Sequence, residues 1–371
     1  MRHLNSKRVH YALKQLLLLT FILACHTSVG RAEETYSYWL PIIQRARPAI
    51  GNGVAHDFVA EPRAKQAQLL AAMQDAGIRS IRLPLRWTII EPQQDDFRWA
   101  KTDRAIELLH ANNIDIIGVL TWVPTWANGQ SSANTPSGHF PEAYPPYSVA
   151  DFTNFVNAVA SRYRGKVQSY EIFNEPNSDL FWRPAANVSE YIPFLCDGYA
   201  AIKAVDSNAI VGMGGLVGNG IDFIRQQRDL DDYLPALYAQ GAQNCFDIVT
   251  IHPYVHPVEV GLNSLQTLFI DKTLAVMIAN GDGDKPIWIT EIGWSTAPNA
   301  WGQPTVSEAE IATWIGQLYG KLHSVERIYW YNLRDVGNNP NSVELNFGLL
   351  RHDLTPKPAF YTYKQLANPT R

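Results

Sequence analysis

The chain has 371 residues, of which 46% are hydrophobic and 18% are charged, and its formal net charge at pH 7 is −4. A chain of this length and composition can build a large single core. Its negative charge and its lack of basic clusters exclude nucleic acid and an anionic membrane surface as expected partners.

The first 32 residues have the pattern of a secretory signal peptide. Basic side chains precede the short apolar run Leu16–Ala24, and Gly30-Arg-Ala32 offers small residues near a cleavage position. Removal of residues 1–32 would take away five basic and no acidic side chains, so the formal charge would fall from −4 to −9. We predict a secreted or periplasmic protein, with lipid anchoring at Cys25 as the alternative, and no transmembrane segment. Residues 33–371 then form one mature domain.

Eight short apolar segments recur along the chain, and segments with helical periodicity separate them. This alternation predicts a parallel sheet with both faces covered by helices. Eight such units in one chain favour a closed (β/α)8 TIM barrel over an open sheet, and no glycine-rich phosphate loop follows the first strand. The predicted strands are Ala49–Val54, Ser80–Pro84, Asp115–Thr121, Val167–Phe173, Ile210–Gly214, Asp247–His252, Pro286–Glu291 and Arg327–Asn332.

One stretch between predicted elements is long and irregular. Residues 123–147 follow the third predicted strand and are rich in Pro, Ser, Asn, Gly and Tyr. Long loops of this kind shape binding clefts, and the active sites of barrels lie at the C-terminal ends of the strands. We therefore predict a single domain with elaborated loops on the C-terminal face.

Two glutamates end strands that lie across the predicted barrel from each other. Glu175 ends the fourth strand and Glu291 ends the seventh. A lone glutamate at a strand end is often a surface carboxylate, but an opposed pair is what cleavage of a glycosidic bond requires. Carboxyl groups about 5 Å apart would give retention of configuration, and about 6.5–9.5 Å would give inversion.

Several motifs surround the two glutamates and recur at other strand ends. They are Phe173-Asn-Glu-Pro-Asn177 with Trp182, Ile289-Thr-Glu-Ile-Gly-Trp294, Gly118–Trp126, His252-Pro-Tyr254, Phe347–Leu350 and Pro356–Ala359. These motifs resemble those of clan A glycoside hydrolases, with family 39 and bacterial exopolysaccharide endoglycosidases as the nearest pattern. The resemblance implies a retaining barrel hydrolase that needs no cofactor, with Glu175 as acid/base and Glu291 as nucleophile.

Four polar side chains near the strand ends are further candidates. Arg82 could hold Glu291 ionised, or it could form a structural ion pair. Asn174 could bond the sugar 2-hydroxyl or only shape the turn. Tyr254 could donate to Glu291 and orient it. His252 fits a buried structural residue as well as a contact to neighbours or substrate.

Tryptophan is frequent, with 11 in the chain. Flat rings at the mouth of a barrel can stack on sugars, although any one of them could simply close the barrel. Trp330, which ends the eighth predicted strand, best fits the position under the cleaved sugar. The candidates at or just past strand ends are Trp87, Trp122, Trp126, Trp182, Trp294, Trp301 and Trp330.

Two cysteines remain after the signal segment. Cys196 and Cys245 could pair in an oxidising compartment or could be two buried thiols. No Cys or His has a partner at zinc-like spacing, so we predict no metal site.

The sequence predicts a secreted, monomeric, retaining glycoside hydrolase that cleaves β-linked O-glycosidic bonds in a poly- or oligosaccharide. Aromatic residues at many strand ends favour cleavage within a chain. One alternative is an exo-acting, β-xylosidase-like enzyme with a cleft closed by residues 123–147. Others are net transglycosylation and a non-catalytic carbohydrate-binding protein on a hydrolase scaffold, against which the paired carboxylates count.

Overall fold

The computed structural model describes five stretches of the chain, which are residues 51–137, 139–218, 230–255, 261–298 and 306–367. The predicted signal peptide, Cys25 and Trp301 lie outside these residues. Parallel strands run through the described part. They are β1 (Gly51–Ala55), β2 (Ser80–Arg86), β3 (Asp115–Thr121), β4 (Ser169–Ile172), β5 (Ile210–Met213), β6 (Leu216–Val217), β7 (Val249–His252), β8 (Ile287–Ile292) and β9 (Arg327–Tyr331).

The strands follow one another around a barrel in the hydrogen-bonded order β5-β4-β3-β2-β1-β9-β8-β7-β6. A parallel bridge between Gly212 and Ile248 brings β5 next to the start of β7 and so joins the two ends of the sheet. The predicted TIM barrel is therefore confirmed. The strand pairing is interrupted at Gly214, between β5 and β6. A Cβ atom at this position would lie 2.7 Å from the carbonyl oxygen of Ile172, so only glycine fits there.

All eight predicted strands are present, and each boundary lies within two residues of its prediction where the chain is described. The additional strand is β6. It has two residues, Leu216 and Val217, and a segment this short carries no periodic pattern that a sequence could show. It pairs with β7 and continues the barrel where β5 has ended.

Helices separate most of the strands and cover the outer face of the barrel. A capping box of Ser307 and Glu310 begins the helix Glu308–Lys321. A π-helix (Gln266–Asp271) joins the helices Leu262–Leu265 and Lys272–Ala279. The α-helices are α1 (Arg63–Asp75), α2 (Trp87–Ile90), α3 (Ala100–Ala111), α4 (Thr125–Asn128), α5 (Val149–Tyr163), α6 (Val188–Val205), α7 (Leu230–Ala239), α8 (Leu262–Leu265), α9 (Lys272–Ala279), α10 (Glu308–Lys321) and α11 (Pro358–Ala367).

The buried apolar residues form two clusters. The larger one packs the strands against the surrounding helices. The smaller one contains Ile117, Ile248, Trp288 and Tyr329, which come from opposite sides of the strand order and can meet only inside the barrel. Layers of side chains fill the interior of such barrels. These four residues therefore fill the barrel interior beneath the C-terminal ends of the strands.

A disulfide bond joins Cys196 in α6 to Cys245, which lies just before β7. The bond decides between the two alternatives that the sequence left open for this pair. The Cα atoms are 4.6 Å apart although 49 positions separate the residues along the chain. Across the described stretches, none of the helices has both the length and the apolar surface that crossing a membrane demands.

Candidate active site

A cleft of about 850 Å³ opens at the C-terminal ends of the strands. Residues at or just after the ends of most strands line it, including both Glu175 and Glu291. The loop at residues 123–147 contributes Phe140 to its wall. The cleft therefore lies at the end of the barrel where enzymes of this fold carry their active sites.

The two glutamates face each other across this cleft. One carboxylate oxygen from each, together with a ring nitrogen of His252, lie within 4.8 Å of one another. Retaining glycosidases hold their carboxyl groups about 5–5.5 Å apart, and inverting ones about 6.5–9.5 Å apart. The two carboxylates therefore approach each other more closely than the carboxyl groups of inverting enzymes do.

A strained turn carries Glu175 from the end of β4 into the cleft. Phe173 has a φ of 64° and Glu175 a φ of 45°, a left-handed region that residues with side chains rarely adopt. Phe173 stacks on Phe152 with ring centroids 4.7 Å apart, and the amide of Ser178 donates to the carbonyl of Glu175 at 2.9 Å. Backbone strain of this kind clusters at functional sites because the surrounding packing must enforce it.

The guanidinium group of Arg82 lies between two carboxylates. Its Nη1 donates to Glu291, its Nε to Glu171 at 2.6 Å, and its Nη2 to Oδ1 of Asn174 at 2.7 Å. Burial would lower the pKa of Arg82, but attraction to Glu171 and Glu291 outweighs it and raises the pKa. The predicted contact of Arg82 with Glu291 is thus present, and Arg82 stays cationic.

Glu171 is a residue of this site that the sequence analysis missed. It lies in β4, it is fully buried, and its carboxylate bonds the Nε of Arg82. A carboxylate inside an otherwise apolar strand needs a buried cation as partner. This rule and the inward position of Arg82 on β2 are the signals that could have found the pair.

Tyr254 donates its hydroxyl proton to Oε2 of Glu291 at 2.7 Å. This contact was also predicted. Burial and the negative charge of Glu291 raise the pKa of Tyr254, so the phenol keeps its proton. Glu291 thus accepts hydrogen bonds at both oxygens, from the cation Arg82 and from Tyr254.

His252 is completely buried and contacts Glu175 directly. Its Nδ1 lies 2.7 Å from Oε1 of Glu175, and its Nε2 lies 3.1 Å from the hydroxyl of Thr290. Burial lowers the pKa of His252 to about 4, although Glu291 acts in the opposite direction. His252 is therefore neutral near pH 7 and holds Glu175 in place without touching the cleft.

A neutral imidazole has one N–H, and this limits the hydrogen bonds of His252 to two arrangements. In one, Nδ1–H donates to Glu175 and the Thr290 hydroxyl donates to Nε2. In the other, Nε2–H donates to Thr290 and a protonated Glu175 donates to Nδ1. Only the first arrangement is compatible with an ionised Glu175.

The tryptophan predictions are partly wrong. Trp182 and Trp330 are fully buried, and Trp126 packs its edge on Trp87 and donates to the carbonyl of Glu91. None of these tryptophans lines the cleft. Trp182 and Trp330 belong to the larger apolar cluster, and Trp126 is partly buried and packs against that cluster.

Two predicted tryptophans do line the cleft, namely Trp122 and Trp294. The ring that lines it at the end of β9 is Tyr331, the neighbour of Trp330. Side chains alternate between the two faces of a strand, so adjacent residues point in opposite directions. The prediction for Trp330 was therefore wrong by one residue.

A second group of charged side chains lines the cleft near the ends of β1 and β9. Glu61 accepts hydrogen bonds from Arg334 at 2.5 Å and from His56 at 3.0 Å, and the other ring nitrogen of His56 lies 2.5 Å from Asn332. Burial would raise the pKa of Glu61, but hydrogen bonds from His56 and Arg334 outweigh it and lower the pKa to about 2.

Glu175, His252 and Glu291 also form a group of described residues with atoms close enough to hold a metal ion. The hydrogen bonds count against that use. Arg82 and Tyr254 already donate to the oxygens of Glu291, and Nδ1 of His252 bonds Glu175. A metal ion here would have to displace the guanidinium group of Arg82, which is itself positively charged.

Comparison with known proteins assigns the chain to a family. The family model for cellulase, glycosyl hydrolase family 5, matches residues 46–335. A probable glucan endo-1,3-beta-glucosidase of Aspergillus niger is 30% identical over 102 residues, which cover 27% of this chain and 21% of that protein. This chain therefore spans only about a fifth of the length of that curated relative.

Solved structures with the same fold include several glycosidases. A family 39 glycoside hydrolase of Bacteroides cellulosilyticus is 22% identical, with a TM-score of 0.65 over 87% of this chain and 64% of that one. A monomeric beta-xylosidase of Caulobacter crescentus is 20% identical, with a TM-score of 0.66 over 87% and 69%. These likenesses show the barrel fold. The predicted clan is confirmed, and the match to residues 46–335 shows that the chain belongs to glycosyl hydrolase family 5, the cellulase family.

Proposed function

We propose that the protein is a retaining glycoside hydrolase with Glu175 as acid/base and Glu291 as nucleophile. The observation that carries this proposal is the opposed pair of carboxylates within 4.8 Å, of which one bonds a guanidinium group and the other a neutral imidazole. Two carboxylates in unlike surroundings can take unlike protonation states. Double displacement needs this difference between its acid and its nucleophile.

The first step forms a covalent glycosyl-enzyme. Glu175 gives its proton to the glycosidic oxygen, the bond from that oxygen to the anomeric carbon breaks, and a carboxylate oxygen of Glu291 bonds the same carbon. The leaving sugar departs with the proton. In the second step Glu175 takes a proton from water, the hydroxide oxygen bonds the anomeric carbon, and the ester to Glu291 breaks. The enzyme returns to its starting protonation.

Asn174 is positioned to contact the sugar during these steps. Its Oδ1 accepts a hydrogen bond from Arg82. This contact orients the amide group so that its NH2 group can donate to a substrate. Asn174 also lines the cleft. We therefore assign Asn174 the hydrogen bond to the sugar 2-hydroxyl, a contact that strengthens in the transition state.

The substrate that we propose is a β-linked polysaccharide, cleaved within the chain. The cellulase family match and the name of the Aspergillus relative, a glucan endo-1,3-beta-glucosidase, both support a β-glucan. We further propose that the protein acts outside the cytoplasm. The disulfide between Cys196 and Cys245 supports this because disulfides persist in oxidising compartments.

The test is hydrolysis of β-1,3- and β-1,4-glucans and aryl β-glycosides by the wild type, Glu175→Gln and Glu291→Gln. Both variants should lose activity by about 100-fold or more. A matched control is Glu326→Gln, because Glu326 is half exposed and lies at the opposite end of the barrel. NMR of the first product should show the β anomer.

Four results would count against parts of the proposal. Inversion of the anomer would exclude the covalent intermediate, and full activity of either glutamine variant would exclude that residue from its role. Glycan binding by the wild type without cleavage or transfer would support the carbohydrate-binding alternative. Release of single sugars only, from chain ends, would replace the endo mode with the exo-acting alternative.

A further inference from the structure

A buried ion pair joins the two closing motifs of the sequence, Phe347–Leu350 and Pro356–Ala359, to the loop after β9. Lys357 is only 2% exposed, and its Nζ donates to Oδ1 of Asp335 at 2.8 Å and to the carbonyl oxygen of Asn346 at 3.2 Å. Neither Lys357 nor any other residue of its motif lines the cleft. The motif Pro356–Ala359 thus supplies a buried cation outside the cleft, and Asp335 is its partner.

The ion pair holds the backbone on both sides of Phe347. On one side, Lys357 bonds the carbonyl oxygen of Asn346. On the other side, the amide of Gly348 donates to Oδ1 of Asp335 at 2.7 Å, the same oxygen that Lys357 contacts. Because Lys357 and Asp335 also bond each other, the two peptide groups that flank Phe347 are tied to one fixed point.

The peptide group of Phe347 is held as well. Its carbonyl oxygen accepts from the amide of Asn332 at 3.1 Å and from Nε1 of the buried Trp330 at 3.3 Å. The next residue is Gly348, where a Cβ atom would lie 2.1 Å from the amide nitrogen of Asp335, so no side chain fits. Three successive residues therefore have a backbone that cannot shift without loss of these hydrogen bonds.

The ring of Phe347 carries this fixed position into the cleft, which it lines. It packs edge to face on Tyr254 and Tyr331, with ring centroids 6.2 Å and 5.4 Å away. A Cβ atom at Gly293 would lie 3.3 Å from this ring, so the ring also approaches the backbone two residues after Glu291. Tyr254 in turn donates to Glu291 at 2.7 Å.

We propose that Lys357 and Asp335 are positioning residues, which fix Phe347 and, through its ring, the geometry of the hydrogen bond from Tyr254 to Glu291. This inference rests on the proposed function for the role of Glu291. Neither member of the ion pair lines the cleft, so both act through Phe347. Misplacement of a group by about 1 Å by a change far from the chemistry can lower a rate about 100-fold.

The experiment removes both charges together, as Lys357→Met with Asp335→Asn, so that no buried charge is left without a partner. Phe347→Leu tests the second half of the proposal without any change to the ion pair. The control is Lys203→Met with Asp247→Asn. Lys203 also bonds an aspartate and a backbone carbonyl, both at 2.6 Å, and Asp247 also accepts from a backbone amide, but neither residue lines the cleft.

The first measurement is kcat and KM on the glycoside that the wild type hydrolyses, with and without Tyr254→Phe. We expect the paired change at Lys357 and Asp335 to lower kcat about tenfold and to alter KM by less than about twofold. In the Tyr254→Phe background the same change should lower kcat by less than about twofold, because the hydrogen bond that it disturbs is already absent. An equal loss in both backgrounds would mean that the ion pair serves the fold alone, and would overturn the proposal.

The second measurement does not depend on hydrolysis. Carbon-13 NMR of protein labelled at the hydroxyl-bearing carbon of tyrosine reports the hydrogen bond of each phenol, and the signal of Tyr254 is the one that Tyr254→Phe lacks. This signal should move in Phe347→Leu and in the paired variant of Lys357 and Asp335, and it should stay in place in the control. A signal that stays in place in both test variants would also overturn the proposal.

The two measurements separate this proposal from the proposed function. Hydrolysis by the wild type, with equal losses in both backgrounds and an unmoved Tyr254 signal, would reject the positioning role and leave the proposed function intact. A Tyr254 signal that moves as expected, in a protein that hydrolyses no glycoside, would support the positioning of Tyr254 and reject the proposed function. If the paired variant does not fold, Phe347→Leu decides alone, by the same two measurements.

Discussion

The surroundings of Glu291 and of Glu175 differ in charge although the two side chains are chemically the same. Glu291 accepts hydrogen bonds from a buried cation, Arg82, and from Tyr254. Glu175 bonds His252, which burial keeps neutral. In the mechanism that we propose, these three neighbours distinguish the carboxylate that attacks from the one that carries a proton.

Removal of the positive charge of Arg82 should have the largest effect on this difference between the two glutamates. Arg82→Leu leaves Glu171 and Glu291 without their shared partner, and an uncompensated buried charge costs about 3–5 kcal/mol. We expect that loss in the free energy of unfolding, measured by urea denaturation, and a fall in kcat/KM of at least about 100-fold.

A second substitution separates stability from catalysis in that variant. Glu171→Gln added to Arg82→Leu removes one of the two stranded charges, so part of the stability should return while activity stays low. Recovery of activity together with stability would mean that Arg82 serves the fold alone and does not act on Glu291.

Loss of the Tyr254 hydroxyl should also weaken the hydrogen bonding of Glu291, but with a smaller effect than the loss of Arg82. Tyr254→Phe removes one of the donors to Glu291 and keeps the ring. A hydrogen bond to a charged group contributes about 1.5–3 kcal/mol, so kcat/KM should fall about 10- to 100-fold. The matched control is Tyr199→Phe, which removes a comparable hydrogen bond to Asp247 outside the cleft and should leave kcat/KM unchanged.

Acid should lower the free energy of unfolding through His252, the neighbour of Glu175. Its pKa is lowered from 6.5 to about 4 in the folded protein, so the unfolded chain binds more protons between these values. This contribution to stability is complete above pH 6.5 and is lost as the pH falls to about 4, by about 3 kcal/mol. His252→Asn should flatten that part of the pH profile of the free energy of unfolding.

His110→Asn is the control for the acid experiment, because His110 is an exposed residue of α3 and should leave the profile as in the wild type. A profile for His252→Asn that still falls between pH 6.5 and 4 would show that His252 is not held neutral. The analogous effect of Glu61 lies lower, between pH 4.5 and about 2.

The smallest effect on activity should come from the disulfide. Cys196→Ser with Cys245→Ser opens a loop of 49 positions, which should lower the free energy of unfolding by about 2–4 kcal/mol. Neither cysteine lines the cleft, so kcat/KM below the unfolding temperature should not change. A large loss of kcat/KM would mean that the contact between α6 and the start of β7 also sets the positions of the glutamates.

Several features of the site follow from the sequence because they depend on local pattern. The alternation of apolar strands and helices gave the barrel, and the barrel requires that strand ends meet at one face. Glu175, Glu291, Asn174 and Tyr254 were found in this way, since each lies at or just after the end of a strand, whereas Arg82 lies within β2, four residues before its end. Their mutual contacts could be anticipated without knowing any exact distance.

The sequence alone did not determine features that depend on the exact register or on contacts between distant segments. A one-residue difference at the end of β9 exchanges Trp330 for Tyr331 because alternate side chains face opposite sides of a strand. The pairing of Cys196 with Cys245 and the burial of Glu171 against Arg82 depend on segments that only folding brings together. Only the tertiary structure decided these features, because through-space distances are not encoded in local periodicity.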